Sequence, residues 1–84
     1  MIRWPKSERV VEVLWEDCVG RHGWSEEPIG TTSEITSVGY LHRDDEEGVV
    51  LVESKDRGPG AVKKYGCSTM IPRSAVRGMR VLRK

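Results

Sequence analysis

The sequence contains no phenylalanine and only two tyrosines in 84 residues. A core without phenylalanine must be built from aliphatic side chains and the three tryptophans. No apolar run approaches the ~20 residues of a membrane-spanning helix; the longest is Val49 to Val52. The opening residues, Met1-Ile2-Arg3-Trp4-Pro5-Lys6, lack the hydrophobic stretch of a secretory signal, so a cytoplasmic location is expected. Two cysteines, Cys18 and Cys67, are then expected as half-buried thiols rather than a disulfide. Cys18, His22, His42 and Cys67 have the residue types of a zinc site but not its close pairs, Cys-x-x-Cys or His-x-x-x-His. Gly58-Pro59-Gly60 lacks the following Lys-Ser/Thr of a phosphate-cradling loop. No serine or histidine is spaced as a nucleophile with its base. Neither catalysis nor a cofactor is expected.

What is present is short and highly charged. At 84 residues and 9.5 kDa the chain makes one domain, residues 1–84, with residues 1–9 as a short N-terminal extension. A domain of this size hides only ~60–65% of the surface its unfolded chain exposes, so its core is thin. That favours a compact barrel, stabilised by self-association. The net charge of +1 conceals an asymmetry. Residues 1–53 carry a balance of −7, and residues 54–84 a balance of +8, with Asp56 their only acid. Such a split suits subunits that meet positive face to negative face, or a local anion site. Interleaving of strands from the two halves would instead mix the charges over one surface.

Val10-Val11-Glu12-Val13-Leu14-Trp15 is β-branched and apolar and reads as a first strand. Glu16 to Ser33 follows as a long loop broken by Gly20, Gly23, Pro28 and Gly30. Glu34 to Arg43 reads as the second strand, Asp44 to Gly48 as an acidic turn, and Val49 to Ser54 as the third. Lys55 to Gly60 is a tight connection, and Ala61 to Ile71 is a fourth strand bent at Gly66. Pro72 to Ala75 suits one 3₁₀ turn before a fifth strand, Val76 to Leu82. Arg3 to Arg9 could hold a short helix, with Pro5 at its start. The expected architecture is an all-β, strongly bent antiparallel barrel of five strands.

This order of elements resembles the SH3-type small barrel and, within it, the Sm-like proteins. The spacing of Gly39, Leu41, Asp45 and Leu51 resembles the first Sm motif. The run from Ser68 through Ile71-Pro72-Arg73-Ser74 to Val76-Arg77-Gly78 resembles the second. Glu46-Glu47-Gly48-Val49 stands where the first motif carries an asparagine. Arg73-Ser74 stands where the bacterial RNA-chaperone branch has Lys-His, which keeps the cation and loses the imidazole. The chain also resembles small uncharacterised phage and prophage proteins through Trp15-Glu16-Asp17, Gly23-Trp24, Ser37-Val38-Gly39 and Ile71-Pro72. The likeness implies an SH3/Sm-like barrel, whose long first loop is closer to that of SH3 domains, and, if it forms a ring as Sm proteins do, convergence of copies of Arg73 at the helical turn.

Arg73 and Arg77 flank that turn, and Lys63, Lys64 and Arg80 lie on neighbouring expected strands. Guanidinium groups grip phosphate through two parallel hydrogen bonds, so converging arginines suit a nucleotide or an RNA backbone. The same residues also serve as a solvated basic edge that blocks strand-to-strand aggregation. Trp15 continues the inward set Val11, Val13 and is expected in the core. Trp24 stacks on a base or locks the long loop onto the barrel, and the residues favour neither. Tyr40 and Tyr65 read as packing residues, and Asp44 to Glu47 as hydrated acids.

The leading expectation is a non-enzymatic, homo-oligomeric barrel that binds a phosphate-bearing nucleotide through Arg73, Arg77, Trp24, Lys63, Lys64 and Ser74. In a phage, sequestration of a host immune nucleotide signal would be one use of it. One alternative is single-stranded RNA binding in the Sm manner. The other is a protein-assembly or host-inhibitor module without a nucleotide ligand.

Overall fold

A computed structural model describes residues 9–18, 24, 31–59 and 64–83. Five strands account for nearly all of them: β1 (Val10–Asp17), β2 (Ser33–Asp44), β3 (Gly48–Asp56), β4 (Lys64–Pro72) and β5 (Val76–Arg83). One 3₁₀ turn, Arg73–Ala75, separates β4 from β5. Pro72 enters that turn at φ −58°, ψ 145°, so its ring ends the strand without straining the backbone. Each strand overlaps its sequence expectation, with ends shifted by three residues at most. The loop expected over residues 16–33 and the helix expected over residues 3–9 lie largely outside the described residues. Among the described residues no helix is long and apolar enough to cross a membrane.

All neighbouring strands pair antiparallel in a single sheet of order β4-β3-β2-β1-β5. Strands β1 to β4 form a meander, and β5 returns to the free side of β1. The sheet is open, with β4 and β5 as its edges, so backbone pairing does not complete the expected barrel.

It is nevertheless strongly curled. Val11 and Val13 of β1 share one buried cluster with Val49 and Leu51 of β3 and Ile71 of β4. On a flat sheet β1 and β4 would lie three strand spacings apart, about 14 Å, too far for these side chains to meet. Gly39 of β2 lets that strand approach β3 closely: a Cβ there would lie 3.0 Å from the Val52 carbonyl oxygen and 3.2 Å from the Leu51 Cβ. Burying each aliphatic side chain of the cluster contributes roughly 1.5–3 kcal/mol. Trp15, Leu41, Ala75 and Val76 pack against the rim. Trp15 is therefore core-facing as expected, and its indole Nε1 donates to Ser37 Oγ at 3.0 Å.

Two backbone irregularities mark β3 and β4. Gly48 opens β3 at φ 155°, and a Cβ there would fall 2.2 Å from the Ile71 carbonyl oxygen. Cys67 adopts φ 54° inside β4, between the pairs Val52↔Ser68 and Ser54↔Gly66. At Gly66, where a bend with a bulge or close contact is expected, the chain does approach β3 closely: a Cβ there would lie 3.3 Å from the Ser54 Cβ. Cys18 and Cys67 are both exposed rather than half-buried.

Candidate functional site

The basic residues around the 3₁₀ turn are folded back onto the acids of the first half of the chain. The β2–β3 hairpin closes when Asp45 and Gly48 exchange backbone hydrogen bonds, each of 3.1 Å. Asp45 Oδ1 accepts the Glu47 N–H at 2.9 Å, and its Oδ2 accepts Arg43 Nε at 2.9 Å. The acidic run is therefore structural where simple hydration was expected. Arg73 clamps this hairpin to the end of β4. Its Nη2 donates to the Asp44 carboxylate and to the Asp45 carbonyl, the latter at 2.6 Å, while Nε donates to that same carbonyl at 3.0 Å. The Arg73 backbone N–H also donates to the Glu47 carbonyl at 3.0 Å.

Arg77 does equivalent work at the other end of the turn. Its Nη1 donates to the Ser74 carbonyl at 2.7 Å, and its Nε donates to Glu16 Oε1 at 3.0 Å. Glu16 accepts a further bond from Thr32 Oγ1 at 3.1 Å. These bonds, with the Arg77 charge, hold the Glu16 carboxyl below the usual carboxylate range. Along β5, Arg80 donates from Nε and Nη2 to Glu12 Oε1 at 2.5 Å. Arg73, Arg77 and Arg80 each meet an acid from the first half, so the charges of the two halves interleave on one surface.

Of the other expected site residues, Ser74 lies with Arg73 and Arg77 at the 3₁₀ turn, and Lys64 does not. Lys64 opens β4 and Arg73 follows its last residue, so the length of the strand lies between them. Trp24 is fully exposed. Ser74 sits within the 3₁₀ turn and is exposed, and Lys63 lies outside the described residues. Among the described residues no three metal-ligating side chains group together; His22 lies outside them.

Two further features went unread in the sequence. A shallow groove of about 350 Å³ runs between Glu12, Leu14, Thr36, Gly78, Met79 and Arg80. Gly78 leaves it open, since a Cβ there would meet nothing within 4 Å. The second feature surrounds the two tyrosines. Lys55 Nζ lies 5.3 Å from the Tyr40 ring centroid, and the Arg57 and Arg83 guanidinium carbons each lie 5.9 Å from it. Tyr65 lies beside them, with Lys55 Nζ at 6.0 Å and the His42 ring in edge contact at 5.0 Å. Basic residues near strand ends were visible in sequence, but only the strand register brings them onto one ring.

Comparison with known protein families, curated proteins and solved structures finds no match to this chain.

Proposed function

We propose that this chain is a non-enzymatic assembly module: an SH3/Sm-like curled sheet that completes itself by pairing its open edges with other copies. The observation that carries this reading is the state of β5. Edge strands of monomeric proteins are usually protected by charges projecting from the edge. Here Arg77 and Arg80 are turned onto Glu16 and Glu12 of β1, while Met79, Val81 and Leu82 of the same strand are exposed. The small core adds to the case, because few side chains are buried among the described residues and a domain of this size gains from burying apolar surface between copies.

Capture of a nucleotide phosphate or an RNA backbone at the 3₁₀ turn ranks behind this reading. An anion arriving there would compete with Asp44 for Arg73 and with Glu16 for Arg77.

The test is native mass spectrometry, with sedimentation over a range of protein concentrations. The expected result is a defined multiple of the 9.5 kDa chain. Leu82→Lys, which places a charge on the exposed edge, is expected to return the protein to a single copy with unchanged circular dichroism. A single-copy wild type at every concentration up to the solubility limit would overturn the reading.

A further inference from the structure

Strand register sets two rows side by side on one face of the sheet. Thr36, Leu14 and Gly78 form the first, across β2, β1 and β5, and Val38, Glu12 and Arg80 form the second. The alternate residues Val11 and Val13 point into the core, so both rows face outward. Here lies the groove of about 350 Å³, with Met79 completing its lining. Leu14 supplies apolar surface, Gly78 brings no side chain to cover it, and Val38 extends that surface at 54% exposure. The rim is polar. Arg80 directs both Nε and Nη2 to Glu12 Oε1, each at 2.5 Å, so Glu12 Oε2 is left to accept a further hydrogen bond. Those bonds run in the guanidinium plane, and the side chain is 75% exposed, so a face of the Arg80 group stays open for stacking. The groove therefore suits a flat apolar ring with an N–H on its edge: the ring over Leu14 and Gly78, the guanidinium on its face, the N–H to Glu12.

We infer that the groove receives the Trp24 indole of a second copy. An indole is a flat ring system with one N–H donor and no acceptor, which is the chemistry the groove asks for. Among the described large apolar side chains Trp24 is the most exposed, whereas Trp15 packs at the core rim with its N–H on Ser37. Full exposure places Trp24 outside its own groove, so the ring that fills a groove belongs to another copy. At about 350 Å³ the groove lies at the small end of ligand-sized clefts, roughly 300–1,000 Å³, and holds one bicyclic ring rather than a larger molecule. One indole removes only roughly 150–250 Å² from water, against ~1,200 Å² for a specific interface. The inference therefore rests on the assembly reading: edge pairing supplies most of the contact, and Trp24 anchors it in a groove lined by Gly78, Met79 and Arg80 of the exposed edge strand β5. Each copy carries both the ring and the groove, so a two-fold pair makes the contact twice.

Sedimentation of the wild type and two variants tests the contact. Trp24→Ala removes the ring, and Gly78→Val fills the groove. A Cβ at position 78 meets nothing within 4 Å, so the fold is kept, which circular dichroism checks. Each variant is expected to weaken association roughly tenfold or more, and Trp24→Phe, which keeps a ring without the N–H, by less. An equal mixture of Trp24→Ala and Gly78→Val is expected to associate more tightly than either alone, because an intact ring then meets an intact groove; misfolded variants give no such rescue. Trp24 emission, taken as the difference between wild type and Trp24→Phe, is expected to shift to the blue as copies associate and to stay red in Leu82→Lys. Wild-type association in both variants overturns the inference and leaves the assembly reading in place. A Trp24 signal already blue in the single copy also overturns it, since the ring then sits against its own chain. A wild type that stays single-copy at every concentration overturns both.

Discussion

Arg77 Nε donates to Glu16 Oε1 at 3.0 Å across 61 residues of sequence, joining the start of β5 to the end of β1. Because Thr32 donates to the same carboxylate, one side chain gathers β1, β5 and the residue that precedes β2.

The Glu16 carboxyl is held low first by the Arg77 hydrogen bond, then by Thr32 and by the Arg77 charge. A depressed folded-state value contributes stability that is present above the unfolded value and lost as pH falls through the folded one. Acidification into and below the usual carboxylate range should therefore lower the melting temperature, and Glu16→Gln should flatten that dependence. Melting curves across pH check this; equal slopes in the two proteins would exclude Glu16 as a source. The effect is small, since both partners are well exposed.

Removing the Arg73 clamp should cost stability at the hairpin. Arg73→Ala is expected to destabilise the fold by about 1–2 kcal/mol, a range that allows for the half-exposed setting of these charge-assisted bonds. Arg73→Lys should recover only part, because an ammonium group cannot fork between Asp44 and the Asp45 carbonyl as guanidinium does. Urea unfolding of the three proteins measures the order.

Gly48→Ala should be among the most damaging single changes in the chain. The new methyl would sit 2.2 Å from the Ile71 carbonyl oxygen, and the contact is with backbone, which cannot swing aside. A loss of about 3 kcal/mol or more is expected, enough to leave a domain of this size largely unfolded by circular dichroism.

Ile71→Ala tests the core itself. Ile71 is the largest fully buried side chain among the described residues and the one through which β4 joins the cluster. Truncation should cost about 2–5 kcal/mol, and Ile71→Val about 0.5–1.5 kcal/mol, both read from denaturant midpoints.

The strands were legible because β-branched pairs such as Val10-Val11 and Val49-Val50 stand between turn-forming residues, and local pattern alone decides those elements. Pro72 likewise marked the 3₁₀ turn. The position of Lys64 is legible too, since the expected fourth strand already separates it from Arg73, although residue type alone groups the two as one basic site. What could not be read was pairing at long range. That Arg73 holds Asp44, or that Arg83 and Arg57 meet at Tyr40, depends on a register spread over five strands. The charge asymmetry was real in sequence, but the fold turns it into neighbouring opposite charges rather than opposed faces.

The left-handed residue in β4 bears on how far this protein could grow by strand addition. Cys67, at φ 54°, swings its peptide groups out of the regular alternation, so the rim offers two short combs, Lys64 to Gly66 and Ser68 to Pro72. A visiting strand can zip onto either comb but not continuously along both. Interruptions of this kind frustrate the long, in-register stacking that propagates amyloid ribbons.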